Sequence, residues 1–400
     1  MGLEKFTPDT TIFQDENVLR DSYKPNDLVC RDDELAQFQS ALRPVINGAQ
    51  PKNIFLYGDA GLGKTLATKL VLDRLRKDQQ DVDHLNLHTV NLVCKTLNSS
   101  YQVAANLVNE FRSPENQIKA TGYPAGMVYN MLWEHLDELD ATHCLIVLDE
   151  IDSIGRDDDI LYELPRCNDN GSIDDTWVGV IGISNNFTFR DNLSARVKDS
   201  LCDEEIHFAP YDANQLRQIL EQRAEHAFHD DVLEDDVIPL CAAFAGQKYG
   251  SARQALKRLY KAGDIARDEG ATMVTEQHIR AADEQVEKDK IRDELSKLPT
   301  QEKLTMYSLL SLNEQGKTPA KRSHIYEKYV IAAKSIDADV VSDRTIHDCL
   351  SKLTLKGFLD VDEKNEGPHG GSYYEYSLSI RTDLAREALQ DDTRTDQLYT

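Results

Sequence analysis

Gly58-Asp59-Ala60-Gly61-Leu62-Gly63-Lys64-Thr65 is the stretch whose residue types and spacing are best suited to chemistry. It satisfies G-x-x-x-x-G-K-[ST], the pattern of a loop that wraps nucleotide phosphates, between a strand and a helix start, and Leu66 is counted with it among the nucleotide-binding residues. The glycines let backbone N–H groups turn toward phosphate oxygens, and the helix N-terminus adds its partial positive charge. Lys64 is expected to reach the β- and γ-phosphates of ATP, and Thr65 to hold Mg²⁺. Asp149 and Glu150 close the apolar run "HCLIVLDEID". Asp149 is placed to complete the Mg²⁺ shell, and Glu150 to polarise an attacking water, as phosphoryl transfer requires. The next apolar run, "WVGVIGISNN", ends in Ser184-Asn185-Asn186. One of these amides, with Asn185 preferred, is expected to contact the γ-phosphate or the water. Arg196 in "NLSARVKDSL" and Arg253 in "YGSARQALKRL" complete the set. A guanidinium on the γ-phosphate would make closure of a lid depend on ATP rather than ADP. The sequence leaves open whether Arg196 serves its own nucleotide or a neighbouring subunit's.

These groups need elements to hold them. "NIFLY", "HTVNLVC", "HCLIVLDEID", "WVGVIGISNN" and "EEIHFAP" read as apolar strands. They alternate with helical patterns such as "SSYQVAANLVNEF" and "GMVYNMLWEHLDEL", which implies a parallel sheet covered on both faces. After Pro210 the strands stop and helical patterns run to about Leu295. From Leu298 a third unit is expected: helices near 299–315, 321–336 and 342–356, then a β-hairpin at 357–378. The expected organisation is therefore an α/β P-loop core over 1–210, a helical lid over 211–295 and a C-terminal domain over 296–400.

In that last domain, "VSDRTIHDCLSKLTLKGFLDVD" (341–362) places Ile346, Leu350 and Leu353 on one helical stripe. Arg344, Thr345, His347, Ser351 and Lys352 lie outside it, Gly357 ends the helix, and a strand follows. A buttressed helix with polar and basic groups outward, followed by a hairpin, is the outline of a winged-helix DNA reader. Lys364, His369 and Gly370 belong to the hairpin and its tip. A winged helix serving protein contacts is the alternative.

Charge sets a problem for such a reader. The 400-residue chain carries a formal charge of −25, with the acids spread throughout rather than gathered in a tail. A uniform acidic coat fits a protein of concentrated salt, where carboxylates hold hydration and solubility. At molar salt the Debye length falls to about 3 Å. Repulsion from DNA is then screened, but so is attraction, and a reader must rely on base edges, shape and close packing. Seven cysteines without a CxxC pair suggest buried, reduced thiols rather than a zinc site or disulfide framework. No apolar run approaches the ~18 residues of a membrane span. The beginning, "MGLEKFTPDT", lacks an apolar signal segment. The expected location is the cytoplasm.

Taken together, the P-loop, "LDEID", "GISNN", "GSAR" and a winged helix resemble the AAA+ ATPases. Within them the chain is similar to the archaeal replication initiators related to the origin recognition complex and cell division control ATPases. "ENVLRDSYKPNDLVCRDDEL" (16–35) looks like that family's leader, and the likeness runs from about Asn17 to Leu378. The resemblance implies Walker A at Gly58 to Thr65, Walker B at Asp149 and Glu150, sensor 1 at Asn185, a box VII arginine at Arg196 and sensor 2 at Arg253. It implies that the leader packs on the adenine, with Val18, Leu19 and Tyr211 beside the nucleotide. It also implies that a helical insertion at about 97–120, with Lys95, Arg112 and Lys119 as its cations, touches origin DNA. The family's role is ATP-controlled binding of double-stranded origin DNA, slow switch-like hydrolysis and recruitment of the replicative helicase, together with other initiator subunits. The wing tip departs from the family in offering His369, Gly370 and Gly371 where an arginine commonly follows a glycine. Two other functions fit the motifs: a branch-migration type AAA+ motor, against which the leader speaks, and a signalling ATPase with a protein-binding winged helix. The latter usually carries repeats after the wing.

Overall fold

A computed structural model of the chain describes residues 11–119, 121–155, 157–186, 188–248, 250–365, 372–392 and 394–399. Five short apolar stretches form one parallel sheet: β1 (Ile54–Tyr57), β2 (Leu87–Val93), β3 (His143–Asp149), β4 (Trp177–Ser184) and β5 (Glu204–His207). Their order in space is β2-β3-β4-β1-β5. β3 and β4 are buried along almost their whole length because helices cover both faces of a parallel sheet. The chain leaves β1 for the far edge at β2 and returns through β4 to cross over to β5. Such a reversal opens a crevice at the carboxyl ends of the strands, where α/β sheets bind ligands. The register places Tyr57 beside Ser184, and Asp149 beside Ile183. The phosphate loop, the acid pair and the amide pair therefore emerge side by side.

The helices after β2, Ser100–Glu110 and Ala125–Asp137, dock on this sheet through Val103, Leu107, Val128 and Leu132, which share a core with Ile146 and Leu148. Beyond β5 the chain becomes helical. Ala213–Ala227 opens with a reciprocal cap: Gln215 N–H donates to Asp212, and Asp212 N–H donates to the Gln215 side chain. Val237–Lys248 and Ala252–Asp268 complete this helical layer. The leader joins layer and core. Gln14 N–H donates to the Ala227 carbonyl at 2.9 Å and the Phe13 ring packs at a tilt against Phe228, whereas Arg31, further along, is anchored on the phosphate loop.

The chain folds as two compact units, Met1–Arg280, which holds the parallel sheet and these helices, and Ala281–Thr400. The second unit contains the helices Thr300–Glu314, Arg322–Ser335 and Asp343–Leu355. A small antiparallel sheet accompanies them, β6 (Ala320–Lys321), β7 (Leu359–Asn365) and β8 (Ser372–Leu378), in the order β6-β8-β7. Ile346, Leu350 and Leu353 point into a core with Leu304, Phe358 and Tyr376. Ser342 caps the helix by accepting from Thr345 N–H, and Gly357 leaves it at a left-handed φ of 76°. The apolar stripe and the glycine stop thus become the helix that the sequence predicts. His369 and Gly370 lie outside the described residues.

Leu350 is fully buried at the centre of that second core. Leu350→Ala is expected to cost about 2–5 kcal/mol through lost burial and the cavity left behind. Chemical denaturation of the full chain in high salt measures this, with the loss confined to the transition reported by the second unit.

Candidate active site and nucleic-acid interface

Three glycines shape the phosphate loop, and Gly61 shows why one of them cannot carry a side chain. Its φ is 81°, and a Cβ there would lie 2.3 Å from Ser251 Oγ and 2.8 Å from Arg253 Cβ. The lid helix Ala252–Asp268 begins directly against the loop. Ser251 caps that helix and donates from its hydroxyl to the Ala60 carbonyl at 3.2 Å. On the other side Arg31, 3% exposed, donates from Nε to the Leu62 carbonyl at 3.3 Å and from Nη2 to the Ala209 carbonyl. Its guanidinium lies 3.8 Å from the ring centre of Tyr211, whose hydroxyl also donates to the Leu62 carbonyl. Leader, core and lid converge on one loop.

Lys64 opens the helix Lys64–Asp78 and is buried, its ammonium donating to the Gly58 and Asp59 carbonyls at 2.8 and 2.7 Å. Thr65 donates to Asp149 Oδ2 at 2.8 Å. Glu150 follows with a left-handed φ of 55°, its N–H donating to Asp149 Oδ1 at 2.9 Å. For a residue with a Cβ this backbone is strained, and such strain collects at functional sites. Asp152 ties the two strand ends together by accepting from Ser184 Oγ and Asn185 N–H, each at 3.1 Å. A cavity of about 440 Å³ collects Gly61, Leu62, Gly63, Lys64, Thr65, Leu66, Asp149, Glu150, Asn185, Tyr211 and Arg253. Gly58, Asp59 and Ala60 form the limb of the loop that holds Lys64 and meets the lid. Arg253 is half-exposed, with Nε 3.6 Å from Asp21 of the leader.

Some expected residues sit elsewhere. Val18 and Leu19 are buried in the turn Glu16–Leu19 and do not line the cavity; Val18 instead offers its carbonyl to Arg223 at 3.5 Å. Tyr23, Leu28 and Val29 of the leader, with Ile219, Arg223 and Leu256 of the lid, form the apolar part of the wall. Arg223 lies over the Tyr23 ring at 4.6 Å. The apolar pair Leu28-Val29 within the polar leader is the sequence signal for these residues. Arg196 does not line the cavity; it pairs with Asp159 and lies 5.1 Å from the Tyr162 ring centre.

The hydroxyl of Thr65 and the carboxylate of Asp149 are oxygen donors of the kind that hold Mg²⁺, which completes its octahedron with water and phosphate. Among the described residues no group of three or more His, Cys, Asp or Glu side chains could hold a metal by itself. The pair therefore fits a metal that arrives with a nucleotide.

The residues expected to meet DNA are dispersed. On the helix Asp343–Leu355, Arg344 and Ser351 are exposed, and His347 is half-buried. Thr345 shares a hydrogen bond with Ser342 Oγ, and Ser351 donates back to the His347 carbonyl. Lys352 lies 3.6 Å from the carboxylate of Glu302. Lys364 is exposed on β7, and Lys95 and Lys119 are exposed on the core. Arg112 faces inward, donating to His135 Nε2 at 2.8 Å and to the Asn116 carbonyl at 3.5 Å. Burial and this arginine both lower the pKa of His135, which keeps the ring neutral to accept the bond. Arg112 thus fastens the insertion to itself. Among the described residues no helix is long and apolar enough to cross a membrane.

Burial lowers the pKa of Lys64 from its ordinary 10.5 to about 8, although Asp149 and Asp59 oppose the shift. Between about pH 8 and 10.5 the unfolded chain therefore binds this proton more tightly than the folded one, so stability without nucleotide rises with pH across that window. Phosphate charges beside the ammonium would push the pKa back up. Binding of ATP above about pH 8 should then take up protons, and binding near neutrality much fewer. Calorimetry in buffers of different ionisation enthalpy reads this directly. Lys64→Arg should abolish the uptake, and binding that is independent of buffer at high pH would refute it.

Three family models match the chain: an AAA domain over residues 48–185, a Cdc6 AAA+ ATPase-type lid domain over 217–284 and a CDC6 C-terminal winged-helix domain over 293–388. The chain is 66% identical to ORC1-type DNA replication protein 1 of Haloarcula marismortui, with 100% of this chain and 97% of that protein aligned. It is 36% identical to the ORC1-type DNA replication protein of Thermococcus kodakarensis, over 99% of this chain and 95% of that one. Among solved structures it resembles the Aeropyrum pernix ORC1 protein in complex with DNA, at a TM-score of 0.83 and 34% identity, covering 98% of this chain and 100% of that one. Its acidic coat agrees with the halophilic source of the Haloarcula relative. The chain belongs to the ORC1-type and Cdc6 family of AAA+ DNA replication proteins, here in a salt-adapted form.

Proposed function

We propose that this chain is an ATP-governed initiator that binds double-stranded origin DNA and, in that state, recruits the replicative helicase. The supporting observation is the cavity that joins Lys64, Thr65, Asp149, Glu150 and Asn185 of the core to Arg253 of the lid. These six side chains line one space, one of them from the helical layer, which supports assigning them to the binding and cleavage of a γ-phosphate. The DNA complex of the Aeropyrum pernix ORC1 protein supports the choice of ligand.

In this mechanism Lys64 exchanges the Gly58 and Asp59 carbonyls for phosphate oxygens. Thr65 and Asp149 would hold Mg²⁺, which when bound would supply positive charge beside the phosphates. Tyr23, Leu28, Val29 and Leu256 enclose the base, and Gly61 and Gly63 supply the backbone approach. Arg253 leaves Asp21 for the γ-phosphate, a stronger charge-assisted partner than a solvated carboxylate. That move ties the Ala252–Asp268 helix, which already abuts Gly61, to the nucleotide as well as to the loop. Asn185, held by Asp152 at its backbone, orients the water, and Glu150 receives the water's proton as the new P–O bond forms and the β,γ-bridging bond breaks. With the γ-phosphate gone, Arg253 loses its partner and the lid relaxes. Hydrolysis is slow because the protein uses it to reset a state rather than to drive steps. Arg196 would act on the nucleotide of a second initiator subunit, in keeping with its distance from this cavity. Arg344, Thr345, His347, Ser351 and the wing meet one part of the duplex, and the insertion flanked by Lys95 and Lys119 meets another.

Glu150→Gln keeps the shape and removes the base. ATP affinity should stay near the wild-type value while turnover falls about 10²–10⁴-fold, the usual contribution of a positioned general base. Single-turnover hydrolysis with labelled ATP measures both. Wild-type turnover in this variant would remove Glu150 from the mechanism.

A further inference from the structure

Glu302 is an unusual residue to find buried beside a DNA-reading helix. It lies in the first turn of Thr300–Glu314, and its side chain is 5% exposed. Its carboxylate reaches Lys356 Nζ at 3.0 Å and Lys352 Nζ at 3.6 Å. Both lysines sit on one flank of the helix Asp343–Leu355 and its C-cap, with their own side chains about half-exposed. At the other end of that helix Arg322 pairs with Asp343 at 2.9 Å. Arg322, Lys352 and Lys356 are thus each matched to an acid of their own domain. Arg344 has no acidic partner among the described residues.

Stability alone does not call for a carboxylate at this position. The helix N-terminus favours an anion only by a few tenths of a kcal/mol to about 1. Removing a charge from water costs more than that, and an apolar side chain of similar volume is commonly as stabilising as a buried ion pair. A buried acid aimed at two surface lysines acts instead on what those lysines can do. Phosphates of any duplex must compete with Glu302 for them, whatever the base sequence.

We infer that Glu302 is a specificity-determining residue: an internal counter-anion that withholds Lys352 and Lys356 from DNA phosphates, suppresses sequence-independent binding and leaves discrimination to base-edge contacts made around Arg344. The inference rests on the reading that this helix meets DNA. It deepens that reading by assigning the weak phosphate grip to a particular side chain rather than to the diffuse acidic coat. Each phosphate neutralised by a lysine adds about 0.9 to the steepness with which affinity falls with salt. Withholding two of them flattens the response and lowers affinity for arbitrary sequence more than for a preferred one.

The test compares wild-type protein and Glu302→Gln on two duplexes across a potassium chloride series: one selected by the wild-type protein from a random pool, and a scrambled duplex of equal length. The glutamine variant should bind the scrambled duplex several-fold more tightly. Its log–log salt slope should be steeper by about 1 to 2, and the ratio of selected to scrambled affinity should fall. Adding Lys352→Gln and Lys356→Gln to it should remove the gain. Glu302→Asp keeps the charge but withdraws it by one methylene, so it should give an intermediate slope and provides the same readout if the glutamine variant does not fold. An unchanged slope and unchanged scrambled affinity in both Glu302 variants would overturn the inference. Arg344→Ala separates the two levels. If it leaves binding of the selected duplex untouched, the helix is not the reader; if it weakens binding while the Glu302 variants change nothing, only the role of Glu302 falls.

Discussion

No side chain fits between Gly61 and the first turn of the lid helix, and the rest of the molecule's behaviour depends on that contact. With Ser251 bonded to Ala60 and Arg253 packed beside Gly61, the lid cannot shift without the phosphate loop registering it. The loop is held just as firmly from behind, where Arg31 and Tyr211 both donate to the Leu62 carbonyl. A group bound in the loop and a group on the lid are therefore separated by one layer of backbone. In the proposed mechanism this closeness is what would give a nucleotide's last phosphate leverage over a helical domain without a long chain of intermediates. Asp21 is the partner of Arg253 in this structure, and the proposed γ-phosphate would compete with it for the same guanidinium.

The acidic composition looks incompatible with DNA binding only if binding means bulk electrostatic attraction. In molar salt the field of a charge dies within a few ångströms, and the sign of the whole molecule ceases to matter to a partner that is not yet in contact. What remains is the inventory at the contact. There the second unit shows restraint: Lys352 of the helix Asp343–Leu355 and Lys356 at its C-cap are matched by Glu302, Asp343 matches Arg322 of the preceding helix, and Arg344 has no acidic partner among the described residues. The same logic explains why a general coat of acids and a DNA-reading fold can coexist in one chain.

Much of this was legible in the sequence because the information is local. The P-loop is contiguous, and its chemistry follows from spacing alone. The acid pair and the amide pair each close an apolar strand, so their meeting follows from a parallel sheet. The Asp343–Leu355 helix followed from three apolar positions and a glycine. Less was legible wherever a residue's partner lies far along the chain. Val18 and Leu19 do not line the cavity because the turn Glu16–Leu19 packs on the helices Ala213–Ala227 and Ala252–Asp268, while Tyr23 and Arg223 meet across 200 residues of intervening chain. Arg31 gives no sign in the sequence that it will be buried under a phosphate loop. Lys352 and Lys356 read as free basic residues until Glu302, which bonds Lys356 from 54 positions away, is brought beside them. Arg112 reads as a surface cation and is used inside the insertion.

The decisive quantity is the affinity for duplex DNA of the same protein loaded with ATP or with ADP, measured in strong brine on a sequence selected by the protein itself. A γ-phosphate coupled to the lid through Arg253 requires ATP-loaded protein to bind more tightly, and Arg253→Ala to erase the difference while still binding both nucleotides. Equal affinities for the two loaded forms of the wild-type chain would contradict the coupling between nucleotide state and DNA binding.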